Sequence, residues 1–147
     1  MAPVPIALCG KSSGMAGSFS QSMLPEYEIV HHFQSTAAAR EELPPLFRGE
    51  TVKPSSGVGS NVDSAESKKP RAVVVGAGFS RDELDEMRKI EGADSIPWLY
   101  PDALKSAASI VTGPFLMTVI VKRAKSCLQT NGVVEGKEPG DTGVWPF

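Results

Sequence analysis

The chain has 147 residues, 15 Lys plus Arg against 17 Asp plus Glu, a formal charge of −2 and a hydrophobic share of 41%. This suits one globular domain with one core, and the charge balance excludes a dedicated nucleic-acid binder. Two cysteines are too few for a disulfide-built fold. The longest uncharged stretch, residues 106–121, is interrupted by Gly113-Pro114 and is shorter than the roughly 20 apolar residues of a membrane helix.

The run Val4-Pro5-Ile6-Ala7-Leu8-Cys9 has no helical period and ends at Gly10, which predicts a buried strand. It has no basic leader, so the expectation is a cytoplasmic protein with reduced thiols, Cys9 and Cys127 serving as small apolar fillers. A glycine-dense turn follows, Gly10-Lys11-Ser12-Ser13-Gly14-Met15-Ala16-Gly17, then a helix over 15–24 stopped by Pro25. Residues 27–33 predict a second strand. Ser35 or Thr36 caps a helix that runs through Leu43 and ends at Pro44-Pro45.

Residues 48–70 hold five serines and three glycines and almost no large apolar side chain. Such a segment buries too little surface to offset its ordering entropy, which predicts a mobile insert or a lid over a ligand. Arg71-Ala72-Val73-Val74-Val75 then reads as a strand covered on both faces. It leads through Gly76-Ala77-Gly78 into a helix start: Ser80 and Glu83 form a capping box, and Phe79 staples onto Leu84. Leu84, Met87 and Ile90 share one face of that helix.

A short fourth strand is expected around 96–99, with Pro97 favouring a sheet edge. The last helix starts at Pro114 and buries Met117, Ile120, Val121, Ala124 and Leu128. Lys122, Arg123 and Lys125 complement its dipole, and Asn131-Gly132 closes it. The tail over 133–147 is expected to wrap the surface, with Trp145 and Phe147 as anchors and as a contact for a protein partner or a second copy.

Strand-helix alternation repeated four times predicts an α/β fold, a small open parallel sheet of order 2-1-3-4 with helices on both faces. Ligands of such sheets gather outside the strand carboxyl ends where the order reverses, here between the first and third strands. Both of those strands run into glycine-rich turns. Gly10, Lys11, Ser12, Ser13, Gly14 and Gly17 on one side and Gly76 and Gly78 on the other are therefore the candidate contacts for a nucleotide or small metabolite.

Named nucleotide motifs are incomplete. A Walker A loop would need glycine where Pro5 stands, and a receiver domain would need aspartate where Gly76 stands. Ser12-Ser13-Gly14 is similar to the hydroxyl-rich loop of flavodoxins, and Trp98 and Tyr100 could stack on a flavin or simply pack. The spacing of Gly10, Gly14 and Gly17 resembles the dinucleotide loop of the Rossmann family, particularly the short-chain dehydrogenases, although their last glycine would fall at Ala16. That resemblance implies a nicotinamide cofactor. No acid follows the second strand, which reads His31-His32-Phe33-Gln34-Ser35-Thr36, so it implies the phosphorylated form, NADP, with Ser35, Thr36 or Arg40 near the extra phosphate.

The catalytic pair of that family is absent, since Tyr100 and Lys105 are five residues apart across Pro101. Adjacent strand residues face opposite ways, so His31 and His32 read as separate structural histidines. No zinc-ligand spacing is present, and Cys9 beside the turn is either a filler or a thiol activated by the helix dipole. The whole pattern, including Gly143-Val144-Trp145-Pro146-Phe147, resembles small Rossmann-like proteins of fungal genomes, some of them among secondary-metabolite genes. Three functions follow: a nucleotide-binding module, a non-catalytic accessory protein, or a small auxiliary enzyme with Lys11 and Ser12 or Ser13 contacting a metabolite.

Overall fold

The computed structural model describes residues 3–76, 78–101, 114–134 and 142–147. Lys105 and the tail positions Gly136, Pro139 and Gly140 lie outside them. Five strands, β1 (Val4–Cys9), β2 (Tyr27–Phe33), β3 (Val73–Val75), β4 (Trp98–Tyr100) and β5 (Val144–Pro146), form one sheet in the order β2-β1-β3-β4-β5. Every pairing is parallel. The α/β class and the order of the first four strands agree with the sequence-based expectation.

The fifth strand is a difference. Part of the expected surface tail runs beside β4, where Gly143 O accepts from Trp98 N (3.0 Å) and Phe147 N donates to Tyr100 O (3.2 Å). This moves β4 off the edge that Pro97 had suggested. Pro97 precedes the strand, so its missing N–H removes no ladder bond, while its carbonyl accepts from Val73 N (3.0 Å).

Side chains alternate across the sheet with the period of two that a strand imposes. Val4, Ile6, Leu8, Val74 and Leu99 face α1 (Ser13–Met23) and the last helix, α4 (Pro114–Thr130), with Phe19, Met23, Ala124 and Leu128 filling that layer. Ala7, Cys9, Val73, Val75 and Trp98 face α2 (Thr36–Phe47) and α3 (Arg81–Arg88), against Leu43, Leu46, Leu84 and Met87. Helices thus cover both faces. Among the described residues no helix is long and apolar enough to cross a membrane.

Helix termini follow local chemistry. Ser12 Oγ accepts from Met15 N, so α1 begins two residues before the expected start. Ser35 Oγ caps α2 through Ala38 N, and the Ser80–Glu83 capping box of α3 is complete, with Phe79 and Leu84 buried together. α4 closes in a Schellman arrangement: Val133 N donates to Leu128 O, Gly132 N donates to Gln129 O, and Gly132 takes φ +80°. α2 continues through Pro44-Pro45, which had been expected to end it. Their carbonyls still accept, from Arg48 N and Glu50 N, and buried Leu43 and Leu46 hold the turn against the sheet.

Register between β1 and β2 slips by one residue: Ile6 pairs with Ile29 but Ala7 pairs with His31, leaving Val30 as the extra residue. A one-residue slip exchanges the faces of everything beyond it. Tyr27 and Ile29 therefore join the α1/α4 layer, whereas Phe33 joins the α2/α3 layer and His31 meets α2.

Residues 48–70, expected as a mobile insert or lid, are folded against this β2 edge. Gly59 sits so close to Val30 that a Cβ there would lie 2.5 Å from the Val30 carbonyl oxygen. Ser56 Oγ donates to His32 O, buried Asn61 bridges to both backbone groups of Lys68, and Ser67 Oγ bonds both backbone groups of Val52. The serines that signalled disorder in the composition are the groups that tie the segment down, and the segment shields an otherwise open edge.

Candidate functional site

In the order β2-β1-β3-β4 the connection after β1 runs to one side of the sheet and the connection after β3 to the other, so a crevice opens between the carboxyl ends of β1 and β3. The two strand ends are close: Gly76 N donates to Cys9 O (2.8 Å), and a Cβ on Gly76 would stand 3.2 Å from that oxygen. A cavity of about 390 Å³ lies there. Its floor is Leu8, Cys9, Val74 and Val75. Among the described residues, one wall is Met15, Ala16 and Phe19 of α1 and the other is Met117, Ile120 and Arg123 of α4, with Pro101 and Phe147 beside them. That volume is in the range of sites for single small molecules.

Of the residues predicted from sequence, Gly10, Lys11, Ser12, Gly76 and Gly78 line this cavity together. Ser13, Gly14 and Gly17 are not in the lining. Gly14 and Gly17 are helical residues of α1; a Cβ on Gly17 would meet nothing within 4 Å, and one on Gly14 would meet only Ser12 Oγ at 3.9 Å. Neither has the close approach or positive φ that calls for glycine. Ser35, the cap of α2, and Arg40, 3.9 Å from Glu86 on α3, are likewise outside the lining.

Several amides of the two turns are committed internally. Gly10 N donates to Phe33 O, Met15 N to Ser12 Oγ, Ala16 N to Ser12 O, and Phe79 N to Gly76 O. Lys11 crosses from one turn to the other. Its Nζ contacts Glu83 at 2.8 Å and stands 4.5 Å over the Phe79 ring, and a Cβ on Gly78 would lie 2.9 Å from Lys11 Cγ. Gly78 is glycine because the lysine stem lies across it. Hydrogen bonding from Lys11, then from the Ser80 backbone, holds the Glu83 carboxyl below the usual range.

Cys9 is buried, burial pushes its thiol well up, and it donates to Met87 Sδ at 3.8 Å. This is the filler of the sequence reading, with nothing to stabilise a thiolate. His32 buttresses the first turn, its Nε2 donating to Gly10 O at 2.8 Å. On the opposite face His31 Nε2 donates to Glu42 Oε1 (2.7 Å), and the same carboxylate accepts from Ser55 Oγ (2.7 Å) and Ser55 N (3.2 Å). Desolvation lowers the pKa of both histidines and outweighs the opposing bonds to Glu42 and Gly10. Each is therefore a neutral structural group.

The α4 wall was missed as part of a site. Met117 and Ile120 look like core residues and Arg123 like a dipole complement, and their 117-120-123 spacing was the available signal for a shared face. Only the packing of α4 beside α1 brings that face to the β1 turn.

The layered parallel sheet and its switch-point cavity make this a doubly wound α/β protein. No family model matches the chain, and no solved structure matches it. It is 32% identical over 143 residues to kojic acid related protein 6 of Aspergillus oryzae, an alignment covering 93% of this chain and 85% of that protein. The chain belongs to the family of that protein.

Proposed function

We propose that the protein is a non-catalytic binding module of fungal secondary metabolism that holds one small, largely apolar metabolite in the switch-point cavity. The observation that carries this reading is the cavity wall: methionine, phenylalanine and aliphatic side chains from α1, β1, β3 and α4 surround a space of about 390 Å³ at the place where such folds bind ligands. The relative named for kojic acid supports the metabolic setting.

Binding is favoured over catalysis because the polar lining groups already have structural tasks. Ser12 caps α1, Lys11 ties two turns together, and Cys9 is held as a thiol. A small metabolite is favoured over NADP because Ser35 and Arg40 stand outside the lining and four amides of the two turns are committed.

Thermal-shift screening of the full chain against small aromatic and heteroaromatic compounds, with NADP and flavin mononucleotide in the same panel, tests the reading. Small compounds should raise the melting temperature. Met117→Trp, which places an indole in the cavity from a half-buried helix position, should abolish the shift while far-UV circular dichroism stays unchanged. Stabilisation by NADP alone would overturn the reading.

A further inference from the structure

Resting on that reading, we infer that the cavity takes a neutral aromatic compound, its ring held between Met15 of α1 and Met117 of α4. Met15 lies in the first turn of α1 and is 52% exposed, whereas Met117 is half-buried against the α1/α4 layer. A single exposed apolar side chain is ordinary. This one stands in a cavity wall with a second methionine in the facing wall, and a bound ring would take it out of water. Methionine is unbranched and polarizable, so two of them can close on a flat guest and make sulfur–aromatic contacts that aliphatic walls cannot. Phe19 and Phe147, both buried in the same lining, add ring contacts of the kind that favour another aromatic.

Neutrality follows from what the polar lining groups already do. Lys11 Nζ bonds Glu83 at 2.8 Å and stands over the Phe79 ring, and Arg123 is likewise engaged within the protein. An anionic ligand would have to draw these cations from their present contacts, and a cationic one would enter beside two like charges. Ser12 Oγ accepts from Met15 N, the Cys9 thiol donates to Met87, and the amides of Gly10 and Gly76 bond within the protein. A guest rich in hydroxyl or amide groups would therefore bury them among partners already taken, which is unfavourable. An aromatic ring makes no such demand.

The test is calorimetric titration of the full chain with 2-naphthylmethanol, with its saturated counterpart decahydro-2-naphthylmethanol, and with naphthalene-2-carboxylate. The aromatic alcohol should bind about tenfold more tightly than the saturated one, the scale of two sulfur–aromatic contacts. It should also bind more tightly than the carboxylate. The Met15→Leu, Met117→Leu double variant keeps the apolar volume and removes both sulfurs, so it should bring the aromatic alcohol down to the affinity of the saturated one. If the double variant does not fold, Met15→Leu alone, at an exposed position, must reduce the preference by about threefold. Equal affinity for the two alcohols, a preference that survives loss of both sulfurs, or tighter binding of the carboxylate would overturn this ligand class and leave the cavity reading standing. Binding of none of the three would overturn both.

Discussion

The two histidines make folding stability depend on pH in a direction that can be worked out from their surroundings. His31 and His32 are fully buried, each with Nδ1 unpartnered and Nε2–H donating, and desolvation lowers both pKa values below the ordinary 6.5. The unfolded chain therefore takes up protons near pH 6.5 that the folded chain refuses. Stability is fully present above that pH and is lost as pH falls below it, until the folded-state pKa values are reached. Each proton contributes roughly 1.4 kcal/mol per pH unit, so two histidines set a ceiling of roughly 3 kcal/mol per unit in this window. The depressed carboxylates Glu26, Glu28 and Glu83 act lower, since their stabilisation is lost only as pH falls through and below the ordinary 4.5. The chain has only these two histidines, which makes the interval between about pH 5 and 6.5 theirs. Urea unfolding at half-unit steps from pH 7.5 to 5 should show the decline. His31→Gln and His32→Gln keep an N–H donor toward Glu42 and Gly10 but cannot titrate, so each should flatten the slope by up to one proton. A level profile, or a slope that survives in the double variant, would refute the claim that both imidazoles are neutral in the fold.

Gly59→Ala should cost more than about 2 kcal/mol in urea unfolding and increase proteolysis within residues 51–70, because φ is +119° and the added Cβ would strike Val30 O. Gly17→Ala should stabilise by about 0.5–1 kcal/mol and leave ligand affinity unchanged, since that helical position opens onto empty space; lost binding would restore the dinucleotide-loop reading. Trp145→Ala should cost about 3–5 kcal/mol, because the indole is 5% exposed and is part of the α1/α4 layer, an effect that a surface-wrapping tail would not show.

Much of the fold was legible because its signals are local. The apolar run 4–9 and the strand at 27–33 agree with β1 and β2 at both ends, and the Ser80–Glu83 box fixes the start of α3 from four residues of sequence. β5 was not legible, because Val-Trp-Pro between glycines and a terminal phenylalanine reads as tail until β4 offers it a ladder. The 48–70 segment was misread for a related reason: composition counts its serines as solvated, whereas Ser55, Ser56 and Ser67 each bond a specific distant group. The switch point likewise follows from strand order, so the turns at Gly10 and Gly76 could be brought together from sequence. The glycine spacing within the first turn was less informative, because Gly14 and Gly17 belong to the exposed side of α1 rather than to the crevice.

The central claim is that a small ligand occupies the cavity between α1 and α4 at the ends of β1 and β3. Amide and methyl chemical-shift mapping of the labelled full chain with a small aromatic compound that raises its melting temperature tests it most directly. The account predicts that shifts concentrate at Gly10, Ser12, Gly76 and Gly78 and at the methyl groups of Met117 and Ile120. Shifts centred on Ser35 and Arg40, or on the outer α1–α4 groove at Lys122 and Lys125, would contradict it.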